Sequence, residues 1–226
     1  GVDGQNWTML GSASIAMPAN VLLGFAASSQ NTNRTTMAAF RDFSEATTAG
    51  VMAGPLPSEP LSQSSRRTSL VLSEIMFNPL DRADGKNLEF VELFNALSTA
   101  EDIGGWRLDG DADFTFPPGT VIPAGGFVVV AQSPSDVEAE YGISGVLGPF
   151  SNTNSLPNTR GAIQLRHRNG AVFLEAHYDT APPWPVAADG AGHSLVLARP
   201  SYGEVNVAAW AASDATGGSP GRLDPV

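Results

Sequence analysis

Three aspartates around a turn are the residues whose types and spacing come closest to a chemical site. Asp109, Asp111 and Asp113 occupy alternate positions in the stretch Asp-Gly-Asp-Ala-Asp. Calcium prefers carboxylate oxygens, and calcium loops begin with acidic residues at alternate positions. The chain lacks the downstream glycine and glutamate of an EF-hand loop, so a solvated hairpin tip is the alternative. We treat the three aspartates as candidate calcium ligands, with residues 81–87 as a second acidic loop of lower priority.

Other patterns that support catalysis or cofactor binding are missing from the sequence. His167, His177 and His193 are far apart, and two histidines without a third ligand make a poor metal site. The chain has no Gly-x-Ser-x-Gly nucleophile motif and no cysteine, which excludes thiol nucleophiles and disulfides. The sequence therefore predicts no catalytic residue, no enzyme activity and no resident cofactor apart from the calcium candidate.

Two glutamates lie on opposite faces of one predicted strand over residues 88–95. Glu92 shares a face with phenylalanines, and Glu89 shares the other face with aliphatic residues. A carboxylate on a covered face needs a partner. We expect Arg107 on a neighbouring strand, or backbone N–H groups, to supply it. A structural role is predicted, because two carboxylates on opposite faces cannot flank one scissile bond.

Three tryptophans are candidate contacts for a ligand or partner. Trp7 follows a turn, Trp184 lies between prolines, and Trp210 follows a loop. An indole face can stack on a sugar or anchor a protein partner. The alternative is that these rings pack inside the fold and close its ends.

Composition narrows the class of protein. The 226 residues carry a net charge of −11 and one lysine, Lys86. This acidic balance disfavours nucleic-acid binding, and no apolar run approaches the length of a membrane span. The sequence begins at Gly1 without a methionine, which indicates a fragment of a longer protein.

Short apolar stretches separated by glycine and proline predict an all-β fold. The central stretch, residues 104–132, indicates three strands, of which the last is a continuous apolar run at 127–131. Further strands are predicted at 70–77, 88–95, 162–166, 172–178 and 194–197, and a loop at 137–149. Arg168-Asn169-Gly170 is a hairpin turn signal. About eight strands in this length predict an immunoglobulin-like β-sandwich.

The chain divides into three predicted parts. Residues 1–45 form short strands, residues 46–67 are a linker rich in proline and serine, and residues 68–221 form the sandwich domain. Residues 3–8, 15–18, 21–26 and 36–40 resemble the C-terminal strands of concanavalin-like jelly-roll domains, the lectin-like modules of secreted bacterial proteins. The resemblance implies a partial jelly-roll segment before the linker.

Residues 68–221 resemble the lamin-tail domain, in its bacterial secreted form. The motifs that carry this resemblance are Ser73-Glu-Ile-Met, Glu89-Phe-Val-Glu-Leu, Gly105-Trp-Arg-Leu, Phe114-Thr-Phe-Pro-Pro-Gly-Thr-Val-Ile-Pro-Ala-Gly-Gly-Phe127, Tyr178-Asp-Thr-Ala-Pro, Ala188-Asp-Gly and Gly217-Gly-Ser-Pro-Gly221. They occur in the family's order along nearly the whole segment. The resemblance implies an Ig-like β-sandwich, in agreement with the strand pattern.

The two resemblances together imply a non-catalytic module for structure or protein interaction in a larger secreted or cell-surface bacterial protein. The expected partners are other domains of the same protein or cell-surface proteins, at an extracellular location. The alternatives are a carbohydrate-binding module, or an accessory region of a multidomain hydrolase or of a spore-coat-kinase-like protein. Exposed aromatic rings in a groove would favour carbohydrate binding, whereas full burial of Trp7, Trp184 and Trp210 would count against it.

Overall fold

The structure, a computed structural model, describes residues 57–151 and 155–225, which belong to one compact unit, Pro57–Val226. The predicted jelly-roll segment and the first part of the linker lie outside the described residues. The described residues form an all-β sandwich with a single α-helix, which confirms the predicted immunoglobulin-like class. No helix within residues 57–151 and 155–225 is long and apolar enough to cross a membrane.

The described residues of the domain contain eleven strands and one α-helix. The strands are β1 (Leu70–Met76), β2 (Phe90–Asn95), β3 (Glu101–Asp102), β4 (Arg107–Gly110), β5 (Phe114–Thr115), β6 (Val121–Ile122), β7 (Phe127–Ala131), β8 (Arg160–Arg166), β9 (Val172–Asp179), β10 (Leu195–Leu197) and β11 (Trp210–Ala212). The helix α1 (Pro134–Tyr141) lies between β7 and β8.

Two antiparallel sheets form the layers of the sandwich. The first sheet has five strands in the order β11-β10-β1-β2-β7, and the second has four in the order β5-β4-β8-β9. The short strands β3 and β6 pair separately. The register between β1 and β2 shifts between Leu72 and Glu74, so the alternation of inward and outward side chains changes there.

The core is made by apolar side chains from the inward faces of both sheets. Leu72, Ile75 and Leu93 of the first sheet and Leu108 and Leu165 of the second belong to one buried cluster. Their alternation with polar residues along β4 and β8 is the pattern of strands with one face covered. By contrast, every residue of β1 and β2 is buried, because the outer face of the first sheet is covered as well.

Helix α1 and the C-terminal segment cover that outer face. Val137 of the helix packs with Met76, Phe90 and Val129 in a second apolar cluster, and Tyr141 lies at its border. The Tyr141 hydroxyl donates a hydrogen bond to the Gly217 carbonyl at 2.5 Å. The predicted loop at 137–149 is therefore wrong for its first residues, which are helical.

The described part of the predicted linker packs on the same domain. The Glu59 backbone N–H donates to the Ala198 carbonyl at 2.7 Å, and the Ser65 N–H donates to the Pro200 carbonyl at 3.2 Å. The Glu59 carboxylate also accepts from the Ser201 backbone N–H at 2.9 Å. Residues 57–65 therefore run along the domain surface, while the domain boundaries of the whole chain stay a prediction.

Candidate functional site

Polar side chains on the outer face of the second sheet form a continuous network. Along β4, β8 and β9 the apolar residues point into the core, so the residues between them point outward. We call the connected outward side chains the polar ladder: Asp113, Arg107, Asp109, Arg166, Gln164, Glu175 and His177.

The first half of the polar ladder consists of ion pairs between arginines and aspartates. Arg107 donates from Nε and Nη2 to the two oxygens of Asp113, at 2.7 and 2.8 Å, and Nη2 also reaches Asp109 at 3.2 Å. Arg166 donates from Nε to the other Asp109 oxygen at 2.5 Å. Two-point contacts of this kind fix both side chains in one geometry.

The second half continues across the sheet through neutral and acidic groups. Arg166 Nη2 donates to Gln164 Oε1 at 2.7 Å, and Gln164 Nε2 donates to Glu175 Oε1 at 3.1 Å. His177 Nε2 lies 3.3 Å from the same Glu175 oxygen. The ladder thus spans three strands and holds its side chains in place before any partner arrives.

The ladder changes the proton affinity of Asp109 and Arg107. The pKa of Asp109 lies below its usual range because the Gly110 backbone N–H, and then the Arg166 side chain, donate to its carboxylate. The pKa of Arg107 is raised by its hydrogen bond and charge interaction with Asp113. Both groups are therefore charged at neutral pH and neutralise one another.

The three candidate calcium ligands are divided between two places. Asp109 and Asp113 accept from arginines in the polar ladder, whereas Asp111 Oδ2 accepts from the Ala162 backbone N–H at 2.7 Å. No group of three His, Cys, Asp or Glu side chains in the described ranges is placed to hold a metal ion. The calcium site stays a prediction, and calcium would have to displace arginines there.

The second acidic loop, residues 81–87, is joined to helix α1 by ion pairs. Arg82 donates from Nε and Nη2 to Asp84 at 2.9 and 2.6 Å, and from Nη1 to Glu140 at 2.9 Å. Lys86 Nζ lies 3.1 Å from the same glutamate. The pKa of Asp84 is lowered, chiefly by the hydrogen bond from Arg82. This loop therefore fastens the helix to the domain.

Asp111, a candidate calcium ligand, lies in a cleft with Trp184, a candidate contact for a ligand or partner. We call this the Trp184 cleft; it measures about 430 Å³. Its lining residues are Asp111, Arg160, Gly161, Ala162, His177, Tyr178, Asp179 and Trp184. The ring of Trp184 packs against the core but is only partly buried, so part of the indole faces the cleft.

Backbone contacts fix the carboxylates and the tryptophan of the Trp184 cleft. Asp179 Oδ1 accepts from the Ala181 backbone N–H at 2.8 Å, and the Trp184 N–H donates to the Ala181 carbonyl at 3.1 Å. Arg160 and Asp179 are partners in the β8–β9 register. The cleft therefore combines a partly exposed aromatic ring with two acids, Asp111 and Asp179, and one base, Arg160.

Tyr178 forms the floor of this cleft. Its ring stacks on Phe77 with centroids 4.5 Å apart, and the residue is 1% exposed. Its hydroxyl is buried and has no hydrogen-bond partner among the described residues. A Cβ atom at Gly161 would overlap the Tyr178 ring, so the ring can lie across this position only because it is glycine. Burial raises the pKa of the Tyr178 hydroxyl.

The remaining tryptophans differ from Trp184. Trp210 is 3% exposed, and its Nε1–H donates to the Glu204 carbonyl at 2.9 Å. This burial removes Trp210 from the candidate binding residues and agrees with the alternative that its ring packs inside the fold. Trp7, the third candidate, lies outside the described residues.

The three histidines do not come together. His167 packs edge-on against Trp106 with ring centroids 4.8 Å apart, and His177 ends the polar ladder. His193 Nδ1 lies 2.8 Å from the Ser213 carbonyl oxygen. Each histidine therefore has its own environment.

The outer face of the first sheet carries the carboxyl pair, Glu74 and Glu92. The two residues are partners in the β1–β2 register, and each is 1% exposed. Glu74 accepts from the Ser194 hydroxyl and from the Ser219 N–H at 2.9 Å. Glu92 accepts from the Ser73 hydroxyl and from the Gly221 N–H, both at 2.6 Å. Sequence reasoning identified Glu92 but gave no signal for Glu74 as its neighbour.

Burial decides the protonation of the carboxyl pair. The pKa of Glu92 is raised by loss of solvent and then by the nearby Glu74, and the pKa of Glu74 is raised by loss of solvent, with a further contribution from Asp224. Serine hydroxyls and backbone N–H groups favour the ionised form but do not outweigh burial. The prediction that Arg107 partners a strand glutamate is wrong, because Arg107 pairs with Asp113 and Asp109 on the other sheet.

Glu89, just before β2, is partnered by a backbone N–H group, the second of the two kinds of partner that the sequence predicted. Its Oε2 accepts from the Leu156 backbone N–H at 2.8 Å, and the residue is 6% exposed. Burial raises the pKa of Glu89 to about 7. Backbone N–H groups are therefore the partners that the sequence left open as an alternative.

Comparison with known families agrees with the fold. The family model described as the Lamin Tail Domain matches residues 63–181, more than half of the 226 residues. A comparison with curated proteins found no match. The sandwich extends past the matched residues, since β10 pairs with β1 and β11 pairs with β10. The chain therefore belongs to the Lamin Tail Domain family, whose Ig-like module is non-catalytic.

Proposed function

We propose that this chain is a non-catalytic interaction module of a larger secreted or cell-surface bacterial protein. Its partners are other domains of the same protein or neighbouring surface proteins. Membership in a non-catalytic Ig-like family supports the class of function. The extracellular location rests on the resemblance of residues 1–45 to secreted lectin-like modules.

The polar ladder is the observation that carries the proposal. Binding a partner costs the entropy of ordering interface side chains, about 0.5–1.5 kcal/mol for each flexible one. In the ladder, Arg107 and Arg166 are already held by acids and by Gln164. Arginine is also enriched at protein interfaces. The outer face of the second sheet is thus an ordered surface that keeps donors and acceptors accessible to a protein partner.

Binding of the labelled chain to intact cells of its source organism tests this role. We expect saturable binding that is lost when surface proteins are removed with protease. Arg166→Glu puts a carboxylate beside Asp109 and is expected to weaken binding at least about tenfold, since like charges at an interface cost several kcal/mol. Arg222→Glu, an exposed charge reversal outside the ladder, is the matched control.

The outcome is decided by the difference between these variants, both checked for an unchanged fold by thermal melting. Binding that is absent, or that both variants weaken equally, contradicts the proposal. Saturable binding that survives protease treatment would favour a non-protein ligand.

A second function, carbohydrate recognition, is favoured by one observation, the partly exposed Trp184 in a cleft with polar groups. An accessory role beside a hydrolase or a spore-coat-kinase-like domain is compatible with either function, because it concerns the rest of the parent protein.

A further inference from the structure

We propose that the Trp184 cleft binds one neutral pyranose ring of a glycan, with the ring stacked on Trp184. Asp111, Asp179 and Arg160 hold the sugar hydroxyls. The inference deepens the carbohydrate candidate of the proposed function, and its site shares only His177 with the polar ladder. It rests on a cleft of about 430 Å³, within the range of roughly 300–1,000 Å³ usual for ligand sites.

Trp184 supplies the apolar contact. Its indole packs on the core on one side and remains partly exposed in the cleft. The Trp184 backbone N–H donates a hydrogen bond to the Ala181 carbonyl at 3.1 Å, which fixes the backbone that carries the ring. One face of a pyranose ring presents C–H groups, which the electron-rich face of an indole attracts. A ring held in advance loses little entropy when the sugar stacks on it.

The two carboxylates supply acceptors for sugar hydroxyls. Asp111 and Asp179 each have one oxygen engaged by a backbone N–H, at 2.7 and 2.8 Å. This contact orients the carboxylate, and the second oxygen has no bond within the described residues. A carboxylate oxygen can accept from more than one hydroxyl, so adjacent hydroxyls of a pyranose fit such a group.

Arg160 supplies the donors. It is exposed, and its guanidinium makes no ion pair or hydrogen bond among residues 57–151 and 155–225. A guanidinium presents several N–H donors in a plane and matches two neighbouring hydroxyl oxygens. Its position beside Asp179 in the β8–β9 register places a donor next to an acceptor. Alternating donors and acceptors are what a row of sugar hydroxyls requires.

The charges in the cleft select a neutral sugar. Two acids line it together with Arg160 and His177, and Glu175 lies 3.3 Å from the histidine. Two carboxylates against one guanidinium give the cleft a net negative charge, which disfavours an anionic sugar. An uncharged polyol can bond to both kinds of group without this repulsion.

The floor of the cleft carries a buried polar group, the Tyr178 hydroxyl. The Tyr178 hydroxyl is buried without a hydrogen-bond partner among the described residues, although the residue lines the cleft. Leaving a buried hydroxyl unsatisfied destabilises a protein by about 1–3 kcal/mol. A sugar hydroxyl would reach this group only if the floor opens beside Gly161, because the Tyr178 hydroxyl has almost no accessible surface.

Titration calorimetry of the whole chain with a panel of neutral oligosaccharides tests the proposal. The probes are cellohexaose, xylohexaose, mannohexaose, maltohexaose and chitohexaose. We expect at least one probe to bind with a dissociation constant below about 1 mM. Trp184→Ala is expected to weaken binding at least about tenfold, the scale of one aromatic contact. Trp184→Phe, which keeps a stacking face, is expected to recover part of the affinity.

Two further variants separate binding from folding. Asp179→Asn keeps the side-chain shape but removes charge, and is expected to weaken binding without moving the melting temperature. Tyr202→Ala removes an aromatic ring that is 43% exposed outside the cleft, and is expected to leave binding unchanged.

The inference is overturned if no probe binds, if Trp184→Ala binds as well as the wild type, or if the cleft instead binds peptides in a Trp184-dependent manner. If the sugars fail while Arg166-dependent binding to cells persists, only this inference falls. If both fail, the proposed recognition role falls with it.

Discussion

The two outer faces of the sandwich shift the pKa of carboxyl groups in opposite directions. On the first sheet, Glu74 and Glu92 are buried under the C-terminal segment, and burial raises the pKa of each. On the second sheet, Asp109 is partly exposed and accepts from Arg166, and its pKa is lowered. Both faces are built from antiparallel strands with alternating side chains, so strand geometry is not the cause of the difference.

The difference lies in what covers each face. The C-terminal segment contributes hydroxyl and backbone N–H donors to Glu74 and Glu92, and neither carboxyl group forms an ion pair within the described residues. Arginines on neighbouring strands reach the aspartates while water still screens them. A carboxyl group with neutral donors and no water holds its proton, and a carboxyl group beside arginine releases it. One face is therefore a structural closure, and the other is an accessible surface.

The largest expected loss of stability comes from adding a side-chain atom at Gly218, where the C-terminal segment packs on Glu74. Gly218 has φ +81°, and a Cβ there would overlap Glu74 Oε1 and come within 2.9 Å of the Ser194 hydroxyl. Gly218→Ala should lower the free energy of unfolding by about 3 kcal/mol, the sum of backbone strain and overpacking. Urea unfolding measures this change.

Gly119→Ala is the matched control for that experiment. Gly119 has the same φ of +81°, but nothing lies within 4 Å of its Cβ position. Only the backbone strain remains, so we expect a loss of about 1 kcal/mol. Equal losses of unfolding free energy in the two variants would show that the C-terminal segment over Glu74 can shift to admit the added Cβ atom.

Stability should fall as pH rises, because of the buried acids of the first sheet. Their native pKa values exceed the 4.5 of an ordinary glutamate, so above that pH the native state binds more protons than the unfolded chain. Each buried group can reduce stability by up to about 1.4 kcal/mol per pH unit until it ionises in the native state. Glu89, with a pKa raised to about 7, adds to this effect.

Urea midpoints between about pH 5 and pH 8 measure this dependence. Glu92→Gln keeps the shape of the side chain without its charge and should make the curve markedly flatter. Gln164→Ala, which removes a polar group from the other sheet, should leave its slope unchanged. A rise in stability over this range would contradict the assignment of the carboxyl pair.

Breaking the polar ladder should lower the free energy of unfolding by less than Gly218→Ala does, and the loss should depend on salt. Arg166→Ala removes the pairs to Asp109 and Gln164 and should lower the free energy of unfolding by about 0.5–1 kcal/mol in low salt. The loss should shrink at high salt, which screens exposed charges. The change in the free energy of unfolding caused by Glu92→Gln should not shrink at high salt, because the Glu92 carboxyl group is buried. Thermal melts at two salt concentrations separate the two behaviours.

Calcium should produce the smallest effect. Asp109 and Asp113 are already paired with arginines, so calcium at the predicted site must displace them. We expect a calorimetric melt with about 1 mM calcium to differ from one with chelator by less than about 1 °C. A large rise that Asp113→Asn abolishes would re-establish the calcium prediction and would change the view of this face.

The sequence predicted the strands well because their signal is local. The apolar run at Phe127–Ala131 is β7, and the Arg168-Asn169-Gly170 signal is the turn between β8 and β9. Helix α1 was missed because only Val137 is buried in it, which leaves no apolar repeat to detect. Proline at its start and Gly142 in the left-handed conformation at its end were the signals available.

The candidate sites were harder to predict because their partners are distant in sequence. Asp109 meets Arg166 across 57 residues, and Glu74 meets Ser219 across 145. A covered glutamate on β2 was predicted to need a partner, but nothing local indicates that the C-terminal segment supplies it. Likewise Trp184 and Asp111 were both identified, yet only the fold brings them into one cleft.

The edge position of β9 has a consequence for behaviour at high concentration. β9 has eight residues and is the outermost strand of its sheet, and no other strand within residues 57–151 and 155–225 pairs with its free side. An open edge of this length is a template for strand pairing between copies. Glu175, His177 and Asp179 place ionisable groups along that edge, so repulsion between copies guards against association. High salt, which screens these charges, would weaken the repulsion, so concentrated stocks of this protein should stay dispersed best at low salt.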